Sequence, residues 1–136
     1  MTDHTSADWD ARYSATPAPW GGTPAAAVVE RLSTMEPGTA LDLGCGDGRH
    51  ARLLAQMGWD VVGVDLSPEA IRIAQEHDSL GPKIIYTVGD VCTWVPVYDA
   101  QVTEDERFKS GKFDLVLGAY LHLPCLLYTS PSPRDL

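Results

Sequence analysis

A glycine-rich loop between an apolar strand and a helix constrains this chain most. Residues 39–43 form a short apolar run, and Gly44-Cys45-Gly46-Asp47-Gly48 then places glycine at every second position. Residues 49–57 have a helical pattern, and Gly58 stands where a helix usually ends. Alternate glycines let the backbone take positive φ and approach a ligand closely. This pattern predicts a strand, a ligand-binding loop and a helix in succession.

The remaining elements alternate in the same way. Helices are predicted at residues 24–35, with Val29 on the apolar face, and at residues 69–76, capped by Ser67. Strands are predicted at residues 61–64, 84–88 and 113–117. The alternation favours a doubly wound α/β fold with a mostly parallel sheet. Residues 93–112 are interpreted as a solvated connector because they contain an acidic run at residues 104–106.

Composition excludes several classes of partner. The net charge of −9 would repel nucleic acid and anionic membranes, so neither is expected as a partner. No apolar run reaches about 18 residues, and the N-terminus lacks the basic and apolar regions of a leader. We therefore expect a cytoplasmic protein, and the oligomeric state stays open. Cysteines and histidines are scattered rather than clustered, so no metal site is expected.

The loop and the next strand together indicate a nucleotide-like cofactor. Asp65 follows the second strand, where a carboxylate can accept hydrogen bonds from both hydroxyls of a ribose. Nicotinamide dinucleotides use the same geometry and stay open at this point. Their G-x-G-x-x-G pattern, counted from Gly44, needs a third glycine where this chain has Arg49.

The string L-D-L-G-C-G-D-G at residues 41–48 resembles motif I of class I S-adenosylmethionine-dependent methyltransferases. The resemblance implies that Asp42 and the Gly44 backbone hold the methionine end of the cofactor. Asp90, in V-G-D-V, resembles the acidic residue that binds the adenine amino group, with the next backbone N–H at the ring. The implied cofactor site is Asp42, Gly44, Cys45, Gly46, Gly48, Asp65, Leu66, Asp90 and Val91.

Two further segments resemble the same family. Residues 113–117 resemble its fourth-strand motif, and residues 118–122 would then run past the transferable methyl group. The string W-D-A-R-Y at residues 9–13, with Trp20 beyond it, resembles the opening of small-molecule methyltransferases of the thiopurine and tellurite-resistance type. The resemblance therefore implies a small-molecule methyl acceptor.

Each of these residues also has an ordinary structural interpretation. The glycines can form a mere tight turn, Asp65 can cap a helix, and Asp90 can belong to a Gly-Asp turn. Cys45 is more often a small core residue than a nucleophile. His122 is a candidate general base but also fits a solvated strand end.

Three more aromatic and acidic residues share this ambiguity. Trp9 and Trp20 fit plain packing as well as closure of a pocket, and Asp114 is interpreted as structural or solvent-facing.

The sequence thus predicts methyl transfer from S-adenosylmethionine to a small molecule. Two rival functions stay open, an NAD-dependent oxidoreductase and a non-catalytic cofactor-binding module that regulates a partner. A nucleic-acid methyltransferase is disfavoured by the negative charge and by Gly-Ala-Tyr at residues 118–120, where adenine-N6 enzymes have N-P-P-[YF].

The end of the sequence departs from the family's pattern. The family continues past its fourth strand toward a seven-stranded sheet, whereas only four strands are predicted here. Residues 1–124 are therefore expected to be a partial S-adenosylmethionine-binding domain, incomplete on its C-terminal side. Residues 125–136 resemble translated adaptor sequence and are expected to be a non-native tail. We expect such a fragment to be inactive and to expose apolar sheet surface.

Overall fold

The computed structural model describes residues 26–78 and 84–118. In that part of the chain, helices and strands alternate as the sequence predicts. The helices are α1 (Ala26–Leu32), α2 (Arg49–Gln56), α3 (Pro68–His77) and α4 (Ala100–Glu104), and short 3-10 turns lie at Pro96–Tyr98 and Glu106–Phe108. The strands are β1 (Thr39–Leu43), β2 (Asp60–Asp65), β3 (Ile85–Val88) and β4 (Leu115–Leu117).

The four described strands form one parallel sheet in the order β3-β2-β1-β4. The chain winds outward from β1 to β3 and then returns to place β4 on the other side of β1. In the register, Asp42 of β1 lies between Gly63 of β2 and Leu117 of β4. This topology confirms the predicted parallel α/β sheet and puts its switch point beside the end of β1.

One face of the sheet is covered by α1, α2 and α3. Its core cluster joins Leu32 of α1, Leu54 of α2 and Ile71 of α3 to apolar residues of the strands. The predicted apolar face of α1 is only partly correct, since Val29 is 39% exposed and the helix ends at Leu32 rather than near residue 35. The turn over residues 33–35 is closed by bonds to carbonyls of the last helical turn, which stop the helix early.

Helix ends follow the signals in the sequence. Ser67 caps α3 by accepting a hydrogen bond from Ala70 N, at 3.1 Å, and Pro68 is the first helical residue. Gly58 follows the end of α2 with a φ of 98°, the left-handed conformation expected of a terminating glycine. Asp114, interpreted from the sequence as structural or solvent-facing, is both, because it is exposed and its carboxylate accepts a hydrogen bond from Thr39 N at 2.9 Å.

The other face of the sheet is covered by residues 93–112, the segment predicted to be a solvated connector. That prediction is wrong for two residues, Val102 and Phe108, which are fully buried against Leu41, Val62 and Val64. The sheet needs an apolar cover on both faces, and this segment supplies it through the short helix α4, which carries Val102, and the following 3-10 turn, which carries Phe108. The acidic side chains at 104 and 106 remain exposed, so the prediction holds for them.

Among the described residues, no helix is long and apolar enough to cross a membrane.

The buried role of the connector can be tested by removing one ring. We expect Phe108→Ala to lower the free energy of unfolding by about 3–5 kcal/mol, since Phe108 is 1% exposed and its loss leaves a cavity. Tyr98→Ala is the matched control, because Tyr98 is 86% exposed and its removal should change stability by less than about 0.5 kcal/mol. Urea unfolding measures both, and equal effects would contradict the packing described here.

Candidate cofactor site

The glycine loop connects β1 to α2 and has the backbone conformation that the sequence predicts. Gly44, Gly46 and Gly48 have φ values of 69°, 57° and 85°, all in the left-handed region. Gly44 N and Cys45 N both donate to Val64 O, at 2.8 and 3.0 Å, which fastens the start of the loop to β2. Side chains with a Cβ are strained at such φ values, so the alternate glycines are a requirement of this path.

Asp65 ties the loop to the end of β2. Its two carboxylate oxygens accept hydrogen bonds from Gly46 N and from Ser67 N, each at 2.9 Å. The sequence left open whether Asp65 binds a ligand or caps a helix. The bond to Ser67 N belongs to the start of α3, and the bond to Gly46 N places the carboxylate directly beside the loop, so both interpretations have a structural basis.

Asp42 is buried at the switch point of the sheet, only 2% exposed. Its Oδ2 has no hydrogen-bond partner. The pKa of Asp42 is raised to about 8, mainly by burial and then by the charge of Asp65, with a downward contribution from Arg49 and an upward one from Asp47. Asp42 therefore holds a proton at neutral pH and would ionise if a cation came beside it.

Asp47 is a third buried carboxylate in the same place, and the sequence analysis did not single it out. It is 2% exposed, its Oδ1 accepts a hydrogen bond from Arg49 N at 3.3 Å, and its Oδ2 has no partner. The signal was present, since an acidic residue between two glycines of a tight loop has little room to reach solvent. The loop thus has two unpartnered carboxylate oxygens beneath it.

Basic side chains balance this cluster only in part. Arg49 and His50 open α2 and are both buried. The pKa of His50 is lowered to about 4, mainly by burial and then by the charge of Arg49, while Asp47 acts in the opposite direction. His50 is therefore neutral at physiological pH, and the guanidinium groups beside the three carboxyl groups are those of Arg49 and of Arg52, which donates to Asp47 O. The unpartnered oxygens of Asp42 and Asp47 accept hydrogen bonds, which suits a cationic ligand that donates them.

The end of β3 lies beside the end of β2. Gly89 N donates to Asp65 O at 2.9 Å, which brings Asp90 to the same edge of the sheet as Asp65. Asp90 is exposed, and its Oδ1 accepts a hydrogen bond from Cys92 N at 2.9 Å. The turn interpretation of Asp90 therefore describes its local role. Leu66 and Val91 are half-buried on either side of this junction.

Cys45 packs as a small core residue, the interpretation that the sequence favoured. Its thiol is buried, and a Cβ built at Gly63 would lie 3.1 Å from the sulfur. Burial, and then the charge of Asp65, raise the pKa of the Cys45 thiol, which keeps it protonated. Only the backbone of Cys45 is placed to line a ligand site.

The remaining candidates lie elsewhere. Trp9, Trp20, His122 and the tail at 125–136 fall outside the described residues.

A groove of about 490 Å³ runs between α3, β3 and α4, lined in part by Arg72 and Thr87, and contains none of the predicted cofactor residues. In the part of the chain that the structure describes, no group of three or more His, Cys, Asp or Glu side chains could hold a metal ion.

The sequence matches a known family. A family model described as a methyltransferase domain covers residues 40–127, more than half of the chain. The chain belongs to this family. The match confirms the resemblance to class I methyltransferases, which rested mainly on the string L-D-L-G-C-G-D-G at residues 41–48 and on V-G-D-V around Asp90.

The chain matches only part of the length of each relative. The ubiquinone biosynthesis O-methyltransferase of Azorhizobium caulinodans is 48% identical over 79 residues, 57% of this chain and 26% of that protein. A structure described as "Conversion of a Disulfide Bond into a Thioacetal Group during Echinomycin Biosynthesis" matches with a TM-score of 0.65 and 32% identity, over 87% of this chain and 48% of its own. The chain spans roughly a quarter of the length of several curated relatives.

A third match concerns the predicted subtype. A TehB-like SAM-dependent methyltransferase from Corynebacterium glutamicum has a TM-score of 0.51 and 25% identity, over 84% of this chain and 54% of that one. This match agrees with the resemblance to the tellurite-resistance type. Together the comparisons confirm the Rossmann-like methyltransferase fold.

The buried carboxyl group of Asp42 makes a prediction about pH. The pKa of Asp42 is about 8 in the folded chain and near its ordinary value of 3.8 when unfolded, so the folded state binds more protons in between. Stability should therefore fall as pH rises, by about 1–2 kcal/mol from about pH 6.5 to about pH 8. Asp42→Asn should abolish this slope, as measured by urea unfolding.

The pH window is chosen to isolate this group. The lowered pKa of His50 acts below about pH 6.5, where it makes stability rise with pH, and the raised pKa of Cys45 acts above about pH 8. Asp60→Asn, on the exposed start of β2, is the matched control and should keep the slope. If the free energy of unfolding of the Asp42→Asn variant depends on pH as that of the unsubstituted chain does, the carboxyl group of Asp42 is not the group that titrates in this window.

Proposed function

We propose that this chain carries the cofactor-binding part of an S-adenosylmethionine-dependent methyltransferase that acts on a small molecule. The observation that carries the proposal is the unpartnered, buried Asp42 Oδ2 under the glycine loop, with Asp47 and Asp65 close by. Ionising an unpartnered carboxyl group in a buried site costs free energy, which is why Asp42 holds a proton, and a cationic ligand beside it would offset that cost. The ammonium and the sulfonium of S-adenosylmethionine fit such a site.

The expected cofactor residues receive roles consistent with their positions. Asp42 and the Gly44 backbone would hold the methionine end, while the backbone of Cys45, Gly46 and Gly48 would line the loop. The geometry supports this assignment because Asp42 lies near the end of β1 and the other residues follow that strand in the loop, at the switch point of the sheet.

The nucleoside would lie toward β2 and β3. Asp65 would accept hydrogen bonds from the ribose hydroxyls, and Leu66, Asp90 and Val91 would contact the adenine. The bond from Gly89 N to Asp65 O supports this assignment, because it keeps the ends of β2 and β3 together.

The bound cofactor would supply a methyl group already activated by the sulfonium. The chain's task is then to bind the cofactor, orient it and exclude water, which a buried acidic cluster and a rigid loop serve well. A soft, deprotonated acceptor needs no protein base. The name of the Azorhizobium relative, an O-methyltransferase of ubiquinone biosynthesis, supports a small-molecule acceptor. The cytoplasmic location and the division into residues 1–124 and 125–136 remain predictions.

The NAD-dependent alternative fits the site less well. A dinucleotide brings a pyrophosphate to the loop, and here the loop lies above buried carboxylates rather than an excess of positive charge. Arg49 also stands in place of the third glycine of the dinucleotide pattern. A cofactor-binding module without catalysis would have the same site, and methyl transfer to any small acceptor by the complete protein would exclude it.

Cofactor preference and the role of Asp65 can be measured in one titration series. We expect calorimetry to show saturable binding of S-adenosylhomocysteine and weaker or no binding of NAD. Asp65→Ala should weaken binding by about 1.5–3 kcal/mol, the range for a hydrogen bond to a charged group. The variant also loses the bond to Gly46 N, which acts in the same direction.

Asp60→Ala provides a control on the same strand. Asp60 begins β2 at the opposite end and pairs with Arg107 at the surface, so its loss should leave the dissociation constant unchanged. Tighter binding of NAD than of S-adenosylhomocysteine would overturn the proposed function. Equal affinity of the Asp65→Ala variant and the unsubstituted chain would move the ribose site away from β2.

A further inference from the structure

The ring of Tyr86 occupies a channel left open by two glycines. Tyr86 lies on β3, is 4% exposed and pairs in register with Gly63 of β2. A Cβ built at Gly63 would lie 2.9 Å from Tyr86 Cδ1 and 3.1 Å from Cε1. The ring therefore crosses directly over Gly63, and a larger residue there would displace it.

The tip of the same ring reaches the end of the glycine loop. A Cβ built at Gly48 would overlap with Tyr86 Oη and would lie 3.1 Å from Cζ. Arg52 Nη1 is at 3.1 Å from the same point and donates to Asp47 O. The phenol and this guanidinium thus abut the residues at which the loop becomes α2. Gly48 is needed for its positive φ and also for the space that Tyr86 takes.

The hydroxyl group of Tyr86 does not stabilise the fold. Tyr86 Oη is buried and has no hydrogen-bond partner. Burial raises the pKa of the phenol, so the group is neutral and cannot offset its desolvation as an ion. An unpartnered buried hydroxyl costs free energy that phenylalanine would avoid. The oxygen does, however, extend the ring to the backbone of Gly48.

We propose that Tyr86 is a positioning residue that sets the height of the glycine loop above the sheet and thereby the affinity of the cofactor site. The proposal rests on the proposed function for its ligand. Gly48 N donates to Cys45 O at 3.0 Å, and Gly46 between them donates to Asp65. If Tyr86 Oη were removed, Gly48 could shift into the space that the oxygen occupies. That shift would move the loop amides relative to Asp65.

The test compares Tyr86→Phe with the unsubstituted chain in two measurements. Amide hydrogen exchange should become faster at Gly48 and at Arg52, whose amides bond within the loop and to Gly48 O. The dissociation constant of S-adenosylhomocysteine should rise roughly threefold to tenfold, because the loop amides shift while no group that contacts the ligand is removed. The free energy of unfolding should stay equal or increase, because an unpartnered hydroxyl is removed.

Weaker binding of S-adenosylhomocysteine together with equal or higher stability would distinguish a positioning role of Tyr86 from a purely structural one. A merely structural Tyr86 would lose affinity only together with stability. Tyr98→Phe, which removes a hydroxyl from an exposed ring, should change none of the three quantities. Unchanged exchange in Tyr86→Phe would overturn the proposal, and so would faster exchange with unchanged affinity. If the unsubstituted chain does not bind S-adenosylhomocysteine, the proposed function fails, and exchange alone decides whether Tyr86 holds the loop.

A double-mutant cycle tests the contact without any ligand. Gly48→Ala should destabilise the chain less in the Tyr86→Phe background, because the added methyl group would overlap mainly with Oη. The strain of alanine at positive φ is common to both backgrounds and cancels in the difference. Additive effects on the free energy of unfolding would show that the hydroxyl does not abut Gly48.

Discussion

The carboxylate of Asp65 is the interaction on which the described structure depends most. One oxygen binds Gly46 N in the loop after β1, and the other binds Ser67 N at the start of α3. A single buried side chain thus joins both strand-to-helix connections at the carboxyl end of the sheet. Carbonyl groups of the same strand extend the junction, since Val64 O accepts from the loop and Asp65 O accepts from Gly89 N. Loops held this way present their backbone to a ligand in a fixed geometry.

The buried carboxyl groups beside the loop reduce the stability of the fold, and they are the basis of the proposed cofactor site. Asp42 and Asp47 add two carboxyl groups that lack a partner for one oxygen each, with the guanidinium groups of Arg49 and Arg52 nearby. A chain selected for stability alone would place apolar residues there. Two unsatisfied carboxylate oxygens at the switch point of the sheet fit a cationic ligand, and the family match agrees with one. The neutral Asp42 of the free chain and the ionised Asp42 expected beside an ammonium are two states of one site.

Local signals in the sequence predicted the strands, the loop and the helix caps because each depends on neighbouring residues. Positive φ at Gly48 and Gly58, and the cap at Ser67, follow from chemistry within a few positions. The burial of Phe108 could not be predicted this way, since it depends on contacts with strand residues that are distant in the sequence, Leu41, Val62 and Val64. The position of the Tyr86 ring could not be predicted either, because the ring connects β3 to a loop almost forty residues earlier in the sequence. Asp47 was missed although the loop itself supplied the signal.

Backbone amide chemical shifts under titration with S-adenosylhomocysteine test the location of the site most directly. The account predicts the largest changes at Gly44, Gly46, Leu66 and Asp90, which follow β1, β2 and β3 in turn. Amides of the connector at residues 100–112 should change little. Saturable shifts centred on the groove between α3 and α4, around Arg72 and Thr87, would contradict the proposed cofactor site. So would shifts that remain absent at a saturating concentration of the ligand.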